Sequence, residues 1–162
     1  MKRKDGFTLI ELMVTVLILG VLSATAIPFY HTWMQRAYGT EAALMMKQIM
    51  DGEIMYYLSH DNFFPEPSGS TVEVYENGTE VPPGALSRIK EVLHTVIPTG
   101  HHLDYSIMTH TTSANEKLCI VTIESTGFAL FSNGDSFLYA MIDSQGKVQY
   151  LTPAGLLAKL AE

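Results

Sequence analysis

The sequence has 162 residues, a formal net charge of −7 and a single cysteine. This length accommodates one domain and one additional element, so a second full domain is not expected. The acidic balance argues against duplex nucleic acid as a partner, because proteins that bind it neutralise phosphates with clustered Lys and Arg. Cys119 cannot form an internal disulfide, and its place in an apolar run predicts a small buried residue.

The first predicted element is a long apolar segment. Residues 7–30 contain one charged side chain, Glu11, and as a helix they are long enough to cross a hydrocarbon layer of ~30 Å. Three basic residues lie shortly before the segment: Lys2, Arg3 and Lys4. The positive-inside rule then predicts a cytoplasmic N-terminus, with the bulk of the chain outside the cytoplasm.

Two ordinary explanations fit this segment less well. A secretory signal has an apolar stretch of only ~7–15 residues, whereas this one is longer and leads into a further helical pattern, although residues 23–26 are similar to a signal cleavage site. A plain membrane anchor does not need Glu11, whose ionised form costs ~2.5–3.5 kcal/mol near the middle of a bilayer. The carboxylate therefore needs a partner, or it reaches the nearby interface.

The residues at the start of the segment resemble the prepilin peptidase site of type IV pilins and pseudopilins. They combine a short basic leader, Gly6, an aromatic Phe7 and Glu11 at the head of a long apolar helix. The resemblance implies that the chain is cut between Gly6 and Phe7 on the cytoplasmic side. It further implies that the new amine of Phe7 is N-methylated.

The resemblance also gives roles to residues within the segment. In a filament, the Glu11 carboxylate of one subunit would pair with the Phe7 amine of a neighbour, which removes an unpaired charge from the apolar interior. Gly20 and Pro28 lie where many pilins carry helix-weakening residues, and they would let helical hydrogen bonds open on assembly. The ordinary alternative for these two is a packing glycine and a gentle proline kink.

The helical pattern continues beyond residue 30. Apolar and small residues recur at alternating steps of four and three, which is typical of one packed face of a helix: Met34, Tyr38, Ala42, Met45, Ile49, Gly52 and Tyr56. The helix is expected to end near Asp61, ahead of two prolines. The methionines in this stripe are expected to be core residues rather than a binding groove.

The sequence after the long helix predicts the α+β head of a pilin-like fold, and the resemblance implies the same arrangement. A short strand at 71–76 and a short helix at 86–96 lie in a connection rich in Pro and Gly. Runs rich in β-branched and aromatic residues follow at 103–109, 118–124, 128–131, 137–142 and 148–151. They predict an antiparallel sheet of about four strands under the long helix. A capping helix is expected from Pro153.

The sequence contains no motif that would carry catalysis or hold a cofactor. The GxSxG, P-loop and HExxH patterns are missing, so neither an enzyme activity nor a cofactor is expected. A weak metal candidate consists of His101, His102, Asp104 and His110. Adjacent strand residues point to opposite faces, and the turns near 135 and 143 lack the acidic run of a calcium loop, so no metal site is expected.

Together these inferences predict a cleaved leader (residues 1–6), a transmembrane and assembly helix (residues 7–30) and an extracytoplasmic head (residues 31–162). The resemblance implies a structural filament subunit, whose partners are its own copies, the prepilin peptidase, and an inner-membrane assembly platform with its ATPase. The precursor would lie in the inner membrane and the mature subunit in an extracellular pilus or periplasmic pseudopilus. The alternatives are a major pseudopilin of type II secretion and a single-span anchored binding module, which predicts no processing.

Overall fold

The structure is a computed structural model that describes residues 7–100 and 102–152. The chain divides into two compact units, Met1–Met34 and Gln35–Glu162. The predicted leader, His101 and the predicted capping helix from Pro153 lie outside the described residues.

The described part of the chain has two helices and six strands. The helices are α1 (Leu9–His60) and α2 (Ala85–Leu93). The strands are β1 (Thr71–Val74), β2 (Glu80–Val81), β3 (Leu103–Thr111), β4 (Lys117–Ser125), β5 (Phe137–Asp143) and β6 (Val148–Leu151). They form one antiparallel sheet in the order β2-β1-β3-β4-β5-β6. The predicted α+β fold with a long N-terminal helix is confirmed, with six strands in place of about four.

The long helix ends where the sequence predicts. α1 spans 52 residues, and the residue that follows it, Asp61, has a φ of 52°. The Asp61 N–H donates to the Tyr57 carbonyl at 2.8 Å. A left-handed residue just past a helix, bonded back to the last turn, is a common way to satisfy helix-terminal carbonyls.

The main hydrophobic core lies between one face of α1 and the inward face of the sheet. The helix buries Ala42, Met45, Met46, Ile49 and Met50. The sheet contributes alternate strand residues, as the pleat requires: Tyr105, Ile107, Cys119, Val121, Ile123, Ala140 and Ile142. The prediction that the methionine stripe is core is therefore confirmed. Cys119 is fully buried, as predicted, and burial raises the pKa of its thiol.

α1 also buries one carboxyl that the apolar stripe does not predict. Glu53 has no exposed surface, and its Oε2 accepts the Phe64 N–H at 3.0 Å. Within residues 7–100 and 102–152, its Oε1 has no hydrogen-bond partner. Burial raises the pKa of Glu53 to about 8, and the hydrogen bond from Phe64 opposes part of that change. The carboxyl is therefore mostly protonated at neutral pH, and no charge is buried at this position.

The predicted strand at 128–131 is wrong. The N–H groups of Leu130 and Phe131 both donate to the carbonyl of Asp135, at 2.7 and 3.1 Å. The Gln35 side-chain amide on α1 donates to the Phe131 carbonyl. The backbone of this segment therefore bonds to its own turn and to α1 rather than to a strand of the described sheet.

β1 and β2 extend the sheet at the edge opposite to β6. The sequence predicts the strand at 71–76 but places it in a connection rather than in the sheet. In the structure β1 pairs with β3, with Val72 opposite Ile107, and β2 then pairs with β1. A strand of two residues such as β2 is too short to show a period of two, so the sequence could not reveal this pairing.

α1 approaches α2 closely at a glycine. A Cβ added at Gly52 would lie 2.7 Å from the Leu93 carbonyl oxygen and 2.9 Å from the Leu93 Cβ. The stripe correctly predicts Gly52 on the packed face of the helix. The structure shows why the position holds glycine: the end of α2 leaves no space for a side chain.

We expect Gly52→Ala to lower the free energy of unfolding by ~1–3 kcal/mol, because the added methyl is forced against the backbone of Leu93. This decrease is a net value: the steric cost outweighs the gain of roughly 1 kcal/mol that Ala brings to a helix interior. Denaturant titration of the full chain in detergent measures the change. The neighbouring exposed residue gives a control, Asp51→Ala, expected to stay within ~0.5 kcal/mol of the parent. A Gly52→Ala chain as stable as the parent would contradict the close contact.

Candidate assembly segment

The start of α1 is a reciprocal capping box. Thr8 precedes the first helical residue, and Oε2 of Glu11 accepts hydrogen bonds from the Thr8 N–H and hydroxyl, both at 2.9 Å. In return the Glu11 N–H donates to Oγ1 of Thr8 at 3.3 Å. The box satisfies backbone N–H groups that have no partner inside the helix, and it places a carboxylate at the positive end of the helix dipole.

Thr8 is a capping residue that was not predicted from the sequence. The signal was available, because Thr8-Leu9-Ile10-Glu11 is a T-x-x-E pattern ahead of an apolar run, the signature of a capping box. Glu11 therefore has a local role in the single chain, in addition to the pairing that the resemblance implies. Charge separates the two roles, since a glutamine completes a capping box but cannot neutralise an amine.

The apolar side chains of residues 7–30 are exposed in the described part of the chain. The exposed fractions of the large hydrophobic residues among them run from 48% at Val14 to 83% at Phe7. Among the described helices α1 is long and apolar enough to cross a membrane, and its most apolar stretch is not buried. Single soluble chains rarely expose so large a continuous apolar surface. This stretch therefore requires lipid or the helices of other molecules around it.

α1 is continuous through both predicted helix-weakening residues, Gly20 and Pro28. A Cβ added at Gly20 would meet nothing within 4 Å, so no contact inside the chain requires a glycine there. Pro28 lacks an N–H and removes one helical hydrogen bond, and its carbonyl accepts the Thr32 hydroxyl at 3.1 Å. Their weakening role concerns a change on assembly, and it stays a prediction.

The predicted processing and assembly residues are neighbours at one helix end. Phe7 stands directly before the capping box, so the predicted methylation site and Glu11 lie within about one helical turn of each other. Gly6 lies outside the described residues. Cleavage after Gly6, methylation of Phe7 and pairing through Glu11 therefore stay predictions.

The histidine-rich region has other contacts. Among the described residues, no three or more His, Cys, Asp or Glu side chains are grouped so that they could hold a metal ion. His102 Nδ1 lies 3.7 Å from Glu76 Oε2, and its ring packs edge-on against Tyr38 with centroids 5.6 Å apart. Asp104 accepts the Glu76 N–H at 2.6 Å. Two of the four candidate ligands thus have protein partners, and His101 lies outside the described residues.

The N-terminal region matches a known family. The family described as "Prokaryotic N-terminal methylation motif" matches residues 1–27. The matched range contains Gly6, Phe7, Glu11 and Gly20, and it ends one residue before Pro28. The match therefore covers the predicted leader, the capping box and most of the apolar stretch.

The curated relatives that match the chain are fimbrial proteins and type IV major pilins. The chain is 37% identical over 91 residues to the type IV major pilin protein PilE1 of Neisseria gonorrhoeae, covering 55% of this chain and 51% of that one. It is 37% identical over 78 residues to a fimbrial protein of Neisseria meningitidis (48% and 44% covered) and 36% identical over 61 residues to the type IV major pilin protein PilA of Myxococcus xanthus (38% and 28% covered).

The chain thus spans about half or less of the length of these curated relatives. No solved structure matches it. The comparisons confirm the resemblance to type IV pilins that Gly6, Phe7 and Glu11 predict.

Proposed function

We propose that this chain is the precursor of a structural subunit of a type IV pilus and not an enzyme. The observation that carries the proposal is an apolar helical stretch, exposed among the described residues, that begins with the N-terminal methylation motif. In this proposal residues 1–6 are a cleaved leader, residues 7–30 first anchor and then polymerise the subunit, and residues 31–162 form the head outside the cytoplasm.

Processing is the first step of the proposed function. A prepilin peptidase cuts between Gly6 and Phe7 on the cytoplasmic side, and the new amine of Phe7 is N-methylated. The capping box supports the chemistry that follows, because it holds the Glu11 carboxylate within about one turn of this amine. After the cut, one end of α1 carries both a cation and an anion.

Assembly brings these charges together between subunits. The Phe7 amine of one subunit pairs with the Glu11 carboxylate of its neighbour, while the uncovered apolar side chains of α1 pack against the same stretch of other copies. Breaking a buried pair of this kind costs ~3–5 kcal/mol. The pair therefore favours the axial register in which every amine meets a carboxylate. Gly20 and Pro28 weaken the helix between the two ends of this stretch, so that it can adjust on packing.

The proposed partners follow from this cycle. They are other copies of the chain, the prepilin peptidase, the inner membrane before assembly, and an assembly platform with its ATPase. The precursor lies in the inner membrane with its N-terminus in the cytoplasm, and the mature subunit lies in an extracellular pilus. The relatives named above are fimbrial proteins and type IV major pilins, which favours a pilus over a secretion pseudopilus or an anchored binding module.

Shearing of cells tests the proposal. We expect the protein to appear in the sheared fraction as a high-molecular-weight filament, and to be lost from that fraction when the host prepilin peptidase is deleted. A single-span binding module would remain in the membrane fraction in both strains. The proposed function would be contradicted if this protein were absent from the sheared material of cells that have both the peptidase and the assembly machinery.

We expect Gly6→Ala to be processed only in part and Gly6→Leu not to be processed. The peptidase must approach the backbone closely at the cut, and glycine presents no Cβ to that approach. The ratio of precursor to mature chain on a gel measures the effect. Gly20→Leu is the matched control, because it makes the same replacement at a position with open space around it. Normal maturation of Gly6→Leu would show that the cut lies elsewhere.

A further inference from the structure

The segment of residues 61–70, which joins α1 to β1, is held to the head through the backbone of Phe64. The Phe64 N–H donates to Oε2 of Glu53 on α1 at 3.0 Å. The Phe64 carbonyl accepts the thiol of Cys119 on β4, with 3.9 Å between the sulfur and the oxygen. All three residues are buried. Both backbone polar groups of Phe64 therefore bond to buried side chains of other elements.

Apolar packing favours the closed position of this segment. The rings of Phe63 and Phe64 are buried, and the Phe63 ring stacks on Tyr57 of α1 with centroids 4.5 Å apart. The Pro65 carbonyl accepts the hydroxyl of Thr109 on β3 at 2.9 Å. These contacts carry no net charge, so their strength does not change with the protonation of Glu53.

The surroundings of Glu53 do not compensate a negative charge on its carboxyl. Oε1 has no hydrogen-bond partner within residues 7–100 and 102–152. The titratable and charged groups that face this site come from every element around it: Tyr56 on α1, Cys119 on β4, Glu66 on the segment and Arg88 on α2. Of these Arg88 is a cation at neutral pH, and its guanidinium lies over the Phe64 ring, 5.3 Å from the centroid. An ionised Glu53 would therefore be a buried charge with a single N–H donor, which is strongly unfavourable.

We propose that Glu53 is a pH-sensitive switch, and that loss of its proton releases the segment of residues 61–70 from the head while the rest of the head stays folded. Release lets water reach the carboxylate, which removes the cost of burying its charge. The opposing cost is the exposure of Phe63 and Phe64, so the segment stays closed while the proton is retained. The proposal concerns the head alone and does not depend on filament assembly.

The layout of the core supports a local release rather than unfolding of the whole head. β3, β4 and β5 pair directly with one another. α1 packs on this sheet through residues that precede Glu53 along the helix: Ala42, Met45, Met46 and Ile49. These contacts do not involve residues 61–70. Local openings of this kind require less free energy than global unfolding.

Proton linkage determines how the release depends on pH. Burial raises the pKa of Glu53 to about 8 in the closed position. In the open position the carboxyl meets water, and its pKa returns to the ordinary value of 4.5. Between these two values the closed form keeps a proton that the open form has lost. The open fraction therefore rises about tenfold for each unit of increasing pH, and acid closes the segment.

Alkylation of Cys119 measures the release, because it is the single cysteine of the chain and its thiol bonds to the Phe64 carbonyl. The full-length parent, Glu53→Gln and the matched control Glu91→Gln, each in detergent, are treated with dilute iodoacetamide between pH 6 and pH 8. Mass spectrometry follows the modified fraction. The rate for glutathione at the same pH, divided by the rate for Cys119, gives a protection factor that is corrected for thiol ionisation.

In the parent and in Glu91→Gln, the protection factor should fall roughly 50-fold from pH 6 to pH 8. In Glu53→Gln, which keeps an acceptor for the Phe64 N–H and cannot ionise, it should change less than about twofold. A protection factor that does not depend on pH in the parent would overturn the proposal, and so would an equal fall in the parent and in Glu53→Gln.

Urea separates release of the segment from unfolding of the head, which would also expose Cys119. Release exposes little surface, so alkylation of the parent at pH 8 should hardly change at urea concentrations well below the unfolding midpoint. Alkylation that rises steeply with urea would show global unfolding and overturn the proposal. The pH and urea dependence of the parent need no variant, so both criteria apply even if Glu53→Gln fails to fold.

Discussion

Glu11→Ala and Glu11→Gln are both expected to suppress filament assembly while membrane insertion and head folding remain normal. Removing a charge from an apolar span makes the single subunit more stable in lipid. In the filament, however, the Phe7 amine of a neighbour then lies in an apolar interior without a counter-charge. The loss is expected to be ~3–5 kcal/mol per subunit, which is large for a contact repeated in every subunit.

The capping box makes the comparison between these variants and Thr8 informative. Glu11→Gln keeps an acceptor for the Thr8 N–H and deletes only the charge, whereas Thr8→Val removes the hydroxyl and keeps the charge. If Glu11 acts through its charge, the Glu11→Gln chain should assemble as poorly as the Glu11→Ala chain. The Thr8→Val chain should then assemble much better than either. If Glu11 acts only as a helix cap, Gln should assemble normally.

The yield of sheared filament, divided by the amount of processed subunit in the membrane, is the quantity to measure. This ratio removes any effect that the variants have on cleavage. Parental yield from both Glu11 variants would exclude the pairing between Glu11 and Phe7, and with it the register mechanism.

Between pH 4.5 and pH 8 the parent is expected to lose stability as the pH rises. In the Glu53→Gln chain the free energy of unfolding of the head should stay nearly constant over the same range. The pKa of Glu53 rises from 4.5 to about 8 on folding, because its carboxyl is buried between α1 and the segment at Phe64. Between these two values the folded chain keeps a proton that the unfolded chain has released. The free energy of unfolding therefore falls as pH rises from about 4.5 to about 8.

The expected size of this loss is roughly 4–5 kcal/mol, since each unit of pKa difference corresponds to about 1.4 kcal/mol. Glutamine keeps an acceptor for the Phe64 N–H and cannot ionise, so the variant should be the more stable chain at pH 8. At pH 4.5, where the parental carboxyl is protonated in the folded state, the two chains should differ much less.

Denaturant titrations of the parent and Glu53→Gln at pH 4.5 and pH 8 test this expectation. Glu91→Gln is the matched control, because it removes an exposed carboxyl from α2 and should leave the pH dependence of the parent unchanged. Equal loss of stability in the parent and in Glu53→Gln would show that Glu53 is not the group responsible.

The long-range plan of the head was predictable because it rests on periodic patterns. The spacing of Ala42, Met45 and Ile49 correctly predicts the buried face of α1, and the runs rich in β-branched and aromatic residues predict β3 and β4. The false strand at 128–131 shows the limit of such patterns. Its apolar residues are packed by contact with a turn and with α1, and periodicity does not record those partners.

Buried polar chemistry was the least predictable feature. Glu53 lies on the packed face of α1, where residue type alone predicts an exposed charge. Its burial depends on the Phe64 N–H, which comes from a segment eleven residues later in the chain. The capping box, by contrast, is a local pattern of four residues, so the spacing of Thr8 and Glu11 could have revealed it, although it was not predicted.

The N-terminal mass of the protein in sheared filaments tests the central proposal most directly. We expect a chain that begins at Phe7 and carries an N-methyl group on its amine, with no trace of residues 1–6. A filament or membrane protein that retains Met1 and the basic leader in its mature form would contradict processing after Gly6, and with it the proposed role as a pilus subunit.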